Sequence, residues 1–211
     1  MTESQRIIGD SRVKTARGLF WRRWVSNPRG IGAVAPSAPA LTRRMAREVV
    51  LRDGEAVVEL GPGTGTVTQA LIKAGVPEDR LILVERDPEM HEYLRDRFPH
   101  ATVIRGDAAE LATVVPERWK GRVSTVVSSL PLLGFPMDSR ARIADQVFDT
   151  LAEGGRLVQF TYSPFCPLRR VVRGIKSQRT GFAAFNLPPA TIWRYTADPE
   201  GGKASARSRA N

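Results

Sequence analysis

From residue 41 to residue 162, short apolar runs alternate with segments of helical period, and that alternation predicts the fold. AVVEL (56–60), LILVE (81–85), TVIRG (102–106), VSTVVSS (123–129) and RLVQFTY (156–162) are nearly continuous apolar or β-branched runs. Runs of this kind suit strands buried on both faces. Between and around them the pattern predicts helices over about 38–50, from Thr66 to the stop at Gly75, from Pro88 to about Phe98, over about 108–115, and from about Ser139 to Leu151, where EGG ends it. Strand–helix–strand alternation at this spacing means an α/β domain: a mostly parallel sheet with helices on both faces.

Outside that block the style changes. PLRRVVRGIKSQR (167–179) predicts a basic helix over about 167–177, with Arg169, Arg173 and Lys176 on one face and Leu168, Val172 and Ile175 on the adjoining one. GFAAFNLPPATIWRYT (181–196) holds two aromatic and β-branched runs around NLPP, the pattern of a closing C-terminal antiparallel hairpin. At the other end, SRVKTARGLFWRRWV (11–25) predicts a helix with Val13, Ala16, Phe20 and Trp24 on one stripe, Trp21 at its flank, and Arg22 and Arg23 among the residues off it. NPRGIGAVAPSAP then breaks it with three prolines and two glycines. The expected organisation is a basic amphipathic segment over 1–29, one domain over 30–198, and a disordered tail over 199–211, whose PEGGKASARSRAN has no core-forming content.

Charge sharpens this division. Residues 1–30 carry seven Lys/Arg against two acids and residues 166–211 nine against two, whereas 31–165 carry 16 against 18. A near-neutral body with two basic ends suits a polyanionic partner surface, nucleic acid or anionic membrane. No run of 18 apolar residues exists, the N-terminus lacks the pattern of a secretory signal, and Cys166 is the only cysteine. A cytoplasmic location is therefore expected, and His91 and His100 are too few to suggest a metal site.

The stretch VVELGPGTGTVTQAL (57–71) carries the chemistry. Gly61, Gly63 and Gly65 stand between a strand and a helix, where backbone can approach a nucleotide closely. The dinucleotide fingerprint G-x-G-x-x-G would need a third glycine where Thr66 stands. Glu59, two residues before the first glycine, would repel a pyrophosphate but suits a ligand with a cationic amino group, such as the methionine part of S-adenosylmethionine. Glu85, at the end of the second strand, is placed to accept both ribose hydroxyls, as it would also be in an NAD site. Asp107, after the third strand, is placed to accept from the adenine amino group. Three acids at three successive strand ends around one glycine turn indicate S-adenosylmethionine as the ligand.

With those residues, GAVAPSAPALTRRMA (32–46), SSLPLLGFP (128–136), GGRLVQFTYSP (154–164) and NLPPATIWRY (186–195) make the chain resemble the bacterial phospholipid N-methyltransferases (PmtA) over roughly residues 10–197. The resemblance implies a Rossmann-like class I methyltransferase with a seven-stranded sheet. It implies S-adenosylmethionine as cofactor, S-adenosylhomocysteine as product, no metal, and a monomer. Phosphatidylethanolamine would be methylated in succession to its mono- and dimethyl forms and to phosphatidylcholine, at the inner face of the cytoplasmic membrane. Ser37, Thr66, Arg86, Ala108 and Ser129 would join the acids and glycines around the cofactor.

The ribosomal RNA adenine methyltransferases share the upstream layout but carry Asn-Pro-Pro-aromatic after the fourth strand. Here that stretch is Ser129-Leu130-Pro131-Leu132, without the Asn amide or the stacking ring. It reads either as an apolar lip for a lipid, with the Leu130 carbonyl accepting from an amine, or as a loop covering the sheet edge. Tyr162 is either one wall of the amine pocket, a proton relay, or a core tyrosine. Arg169 and Arg173 are candidates for the lipid phosphate. Phe20, Trp21, Arg22, Arg23 and Trp24 would hold an anionic membrane surface, unless helix 11–25 packs on the domain itself. Nucleic-acid methylation is the alternative function, with no nucleic acid expected as partner under the first reading.

Overall fold

The computed structural model describes residues 39–169, 171–183, 189–198 and the backbone of 205–206. The helix expected over 11–25, with Phe20, Trp21, Arg22, Arg23 and Trp24, lies outside the described residues, as does Ser37. In chain order the elements are α1 (Pro39–Arg47), β1 (Ala56–Leu60), α2 (Thr66–Lys73), β2 (Leu81–Glu85), α3 (Pro88–Arg97), β3 (Thr102–Arg105), α4 (Leu111–Val114), β4 (Val123–Ser128), α5 (Met137–Thr150), β5 (Leu151–Thr161), β6 (Val172–Arg173), β7 (Ile175–Ala183), β8 (Ala190–Ala197) and β9 (Ser205–Ala206).

Seven strands form one sheet in the order β3-β2-β1-β4-β5-β8-β7. The first five are parallel, β8 runs antiparallel to β5, and β7 antiparallel to β8. The mostly parallel α/β sheet and its C-terminal hairpin are thus as the sequence pattern predicts. The order reverses between β1 and β4, so the loops after β1, β2, β3 and β4 open onto one crevice at the carboxyl edge, where open α/β sheets bind ligands.

The apolar runs explain the layering. Every residue of β1, β2 and β4 is buried. On one face Leu41 and Met45 of α1, Val67 and Leu71 of α2, and Leu94 of α3 pack with Val57, Leu83, Val127, Val158 and Phe160 of the sheet. Burying each such side chain stabilises the fold by about 1.5–3 kcal/mol before chain entropy is counted. α3 starts sharply because the Asp87 side chain accepts from the amides of Glu89 and Met90, with Pro88 at its first turn. α5 contacts β5 and buries Ile143, Ala144 and Val147.

The basic helix expected over 167–177 does not form. Leu168, Val171 and Val172 are all buried, but Gly174 takes φ +70, left-handed backbone that a continuous helix over the segment would not allow. The β-branched pair Val171–Val172 enters β6 beside α5, and the chain from Ile175 onward becomes the edge strand β7. The Arg140 Nη1 atom donates to the Pro167 carbonyl at 3.3 Å and pins the start of the segment to α5. Within the tail expected to lack structure, Ser205–Ala206 pair with Val172–Arg173; its other residues lie outside the described ones.

Candidate active site

The glycine turn leaves β1 and enters α2 with Gly61, Gly63 and Gly65 at φ 64, 56 and 74. Left-handed backbone of this kind excludes most side chains. At Gly65 a Cβ would also come within 2.4 Å of the Phe98 ring at the end of α3, so the turn and α3 approach closely because the residue is glycine. At Gly63 a Cβ would meet nothing within 4 Å. The turn therefore faces open space there, as a cradle for a ligand requires. Thr66 opens α2, and its hydroxyl lies 3.2 Å from that of Thr64.

Glu59 is completely buried at the carboxyl end of β1. Its Oε2 accepts from the Thr68 hydroxyl at 2.6 Å, while Oε1 is buried with no hydrogen-bond partner. Burial pushes this carboxyl up to about 8; the Thr68 bond opposes the shift and the nearby Glu85 charge adds to it. A buried carboxyl oxygen without a partner is costly, and a cationic amino group, which would favour the carboxylate, is the partner that would relieve it.

Glu85 is 2% exposed and organises the crevice from β2. Its Oε2 accepts from the Gly63 amide at 3.2 Å, and its Oε1 from the Arg86 and Asp87 amides at 2.8 and 3.0 Å. Burial raises its pKa despite the Asp87, Gly63 and Arg86 amide bonds. A carboxylate offers about four lone-pair positions, so acceptor capacity remains for a hydroxyl. Asp107 accepts from the Ala109 amide at 2.9 Å, one residue past Ala108, and its other oxygen lies 3.7 Å from Nη1 of Arg86. The structure thus brings Arg86 and Asp107 together across the ends of β2 and β3.

The loop after β4 departs from the expectation in part. The Ser129 amide donates to the Leu60 carbonyl at 3.0 Å, joining this loop to the glycine turn, and its hydroxyl is buried without a partner. Pro131 precedes a short 3-10 turn, Leu132–Gly134. Leu130 and Leu132, expected to line an open lip, are only 5% and 2% exposed; Leu133 is the residue that faces outward. The Leu130 carbonyl, expected to accept from an amine, already accepts from Nε2 of Gln159 at 2.9 Å. That amide also donates to the Phe160 carbonyl, and its own Oε1 is buried without a partner. Tyr162 packs edge-on against Phe160, ring centroids 5.4 Å apart, beside the core that α1 covers. Arg169 and Arg173 are exposed, the first in a loop and the second on β6, and do not share a helical face.

Sequence reasoning missed Thr68 and Gln159. A polar residue inside the apolar run RLVQFTY was the available signal for Gln159. Thr68 carried none, since threonine is common in helix starts.

Comparison with known proteins decides the family. Residues 57–155 match the model of a methyltransferase domain. The ornithine lipid N-methyltransferase of Singulisphaera acidiphila is 33% identical over 175 residues, 82% of this chain and 91% of that protein. The chain belongs to the class I S-adenosylmethionine-dependent methyltransferases. Ribosomal RNA small subunit methyltransferase A of Phenylobacterium zucineum is 38% identical over 101 residues, 46% of this chain but only 34% of that protein. The N-methyltransferase NodS of Bradyrhizobium japonicum, solved with S-adenosylhomocysteine, shares the fold with TM-score 0.55 and 15% identity, over 76% of this chain and 85% of that one. The residues of this methyltransferase fit the cofactor: the Gly63 cradle is open, the orphaned Glu59 oxygen suits its amino group, and Glu85 and Asp107 stand at the next two strand ends. Among the described residues no His, Cys, Asp or Glu cluster could hold a metal, and no helix is long and apolar enough to cross a membrane.

Proposed function

We propose that this methyltransferase acts on the amine of a zwitterionic membrane lipid: phosphatidylethanolamine, then its mono- and dimethyl forms, yielding phosphatidylcholine. The observation that carries the reading is the rim around the acceptor side of the crevice. Leu133, Met137, Phe165 and Phe182 are 38%, 51%, 74% and 50% exposed. All four lie where β4, β5 or β7 reaches the carboxyl edge, or at the start of the helix after β4. Apolar residues gathered on one exposed edge favour contact with lipid over water. The likeness to an ornithine lipid N-methyltransferase, over 91% of that protein, supports a lipid amine as acceptor.

When bound, S-adenosylmethionine supplies a sulfonium methyl group that passes to the acceptor nitrogen while the carbon–sulfur electron pair returns to sulfur. Positioning is the protein's main contribution. The glycine turn, Glu59 and Glu85 hold the donor; the Ser129–Leu133 loop, steadied by Gln159, and the Tyr162 ring place the acceptor. Tyr162 offers an aromatic face to an amine that gains permanent charge with methylation. Residues 129–133 and 162–165 contain no Asp, Glu or His. The amine proton therefore leaves to water or to the lipid phosphate.

The methyl acceptor is tested by incubating the full chain with methyl-labelled S-adenosylmethionine and phosphatidylethanolamine vesicles, ornithine lipid vesicles or total RNA. Label is expected in phosphatidylethanolamine and its methylated products. The partial ribosomal RNA relatives and the basic ends favour RNA as the second reading, against which stands the absent Asn-Pro-Pro-aromatic stretch. Label in RNA alone would overturn the lipid assignment.

A further inference from the structure

An open groove of about 450 Å³ lies between α1 and the edge strand β7, lined by Arg44, Arg179, Thr180, Gly181 and Phe182. Its shape comes from a bulge. Arg179 pairs with Trp193 and Gly181 with Ile192, so Thr180 is an extra residue with no partner across the ladder. The hydroxyl of Thr180 is buried and makes no hydrogen bond. The Arg44 Nη1 atom donates to the Phe182 carbonyl at 2.8 Å, which fixes the guanidinium in the groove while its other N–H donors remain. Arg179 is exposed, and neither arginine is paired with a carboxylate among the described residues. No acid lines the groove. Two guanidinium groups lining one open space, with the unsatisfied Thr180 hydroxyl buried in its wall, form a seat for a small oxyanion.

The groove lies beside the proposed acceptor pocket. Phe182 pairs with Thr191, and Thr191 with Thr161, the residue before Tyr162. Tyr162 also packs against the same buried cluster as Leu41 and Met45 of α1 and Ala183 of β7. Neighbouring strands are about 4.8 Å apart, so β7 stands roughly 10 Å from β5. In phosphatidylethanolamine two carbons and one oxygen separate nitrogen from phosphorus; in an ornithine lipid a short carbon chain separates amine from carboxylate. The Arg44 guanidinium is held at the Phe182 carbonyl, level with Thr161, while Arg179 stands level with Trp193 and Gln159, three residues before Tyr162. A head group whose amine meets Tyr162 would therefore extend its anion along β7 toward the groove.

We propose that Arg44, Arg179 and Thr180 form the anion subsite of the methyl acceptor, binding the phosphate or carboxylate of a zwitterionic lipid while Phe182 contacts its apolar part. The proposal rests on the lipid reading above and assigns the anion to the α1–β7 groove, not to Arg169 and Arg173. It makes the head group a two-point ligand, which excludes amines without a neighbouring acid.

The test uses full-length protein and water-soluble short-chain acceptors below their micelle concentration, so that general attraction to a charged bilayer plays no part. Steady-state methylation is measured for short-chain phosphatidylethanolamine, short-chain ornithine lipid and a simple alkylamine of similar length. For Arg179→Gln the KM of the preferred zwitterionic acceptor should rise at least about tenfold, as expected for one charge-assisted contact. Its kcat, its alkylamine kinetics and its S-adenosylmethionine affinity should stay within about twofold, with Arg179→Lys partly restoring KM. Thr180→Val should raise the same KM by a smaller factor, and Lys73→Gln, a charge-matched change on α2, should leave it in place. Which acceptor loses more distinguishes a phosphate seat from a carboxylate seat. An unchanged KM in Arg179→Gln, or an equal loss on the alkylamine, overturns the subsite. Absence of wild-type turnover on both lipids, with RNA labelled instead, overturns the lipid reading beneath it.

Discussion

The side-chain amide of Gln159 donates to the Leu130 carbonyl oxygen at 2.9 Å, tying β5 to the loop that follows β4. The same nitrogen holds the Phe160 carbonyl, so one buried side chain sets the height of the acceptor loop. Gln159→Leu should remove the side-chain donor from both carbonyls, leaving the Leu130 oxygen with only the Leu132 amide at 2.8 Å. It should also lower the melting temperature and slow single-turnover methyl transfer at least about tenfold, the equivalent of about 1.4 kcal/mol. S-adenosylmethionine affinity should stay within about twofold, because no cofactor group is placed on β5. Equal losses in affinity and rate would mean that Gln159 serves only general stability.

Glu59 should make cofactor binding release a proton. Its carboxyl is raised from 4.5 to about 8 by burial, so the ligand-free protein holds it protonated at pH 7. A cationic amino group at Oε1 would favour the carboxylate. Calorimetric titration at pH 7 in buffers of different ionisation enthalpy should report release of roughly one proton, fading above about pH 9. The same shift makes this residue's contribution to stability whole below about pH 4.5 and lost as pH rises through about 8, since only the folded chain keeps the proton between those values. Glu59→Gln should flatten that decline. Buffer-independent binding heats would remove Glu59 from the amino-group site.

Glu85→Ala should weaken S-adenosylmethionine or S-adenosylhomocysteine binding by at least about tenfold, through loss of charge-assisted bonds to the ribose. A stability cost should accompany it, because the Gly63, Arg86 and Asp87 amides lose their acceptor. Binding is therefore measured well below the variant's melting temperature. Lost stability with unchanged affinity would make Glu85 a brace for the turn and nothing more.

Deleting residues 1–25 should abolish sedimentation with vesicles of phosphatidylglycerol or cardiolipin. Residues 1–30 hold seven Lys/Arg, each contributing about 1 kcal/mol near an anionic leaflet. Wild-type binding should weaken as salt approaches ~0.5 M, and Trp24→Ala should weaken it further at high salt, where the apolar contribution dominates. If the truncated protein sediments as well as the full chain, the carboxyl-edge rim around Phe165 and Phe182 is the anchor.

Much of the fold was legible because its signals are local. AVVEL, LILVE and VSTVVSS each bury both faces, and Asp87-Pro88 announces a helix within three residues. The places of Glu59, Glu85 and Asp107 were equally readable, since each stands at or just past the end of a strand whose position in the sheet follows from the alternation. The segment after Tyr162 was not. Leu168, Val171, Val172 and Ile175 all have helical spacing, so nothing local in that pattern disclosed that the chain pairs as strands from Val172 onward.

By itself the sequence determined the strand and helix periods, the glycine turn with φ above zero, and the acids at three strand ends, because these depend on residues within one turn or one strand of each other. Tertiary structure alone decided which polar atoms those residues meet. Thr68 reaches Glu59 from nine residues away, Gly63 reaches Glu85 across 22, and Gln159 takes the Leu130 carbonyl across 29. It also turned a helical pattern into an edge strand and bulged it at Thr180, because burying Val171 and Val172 beside α5 and pairing Ile175–Ala183 with β8 satisfy more apolar surface and more backbone than an isolated basic helix can.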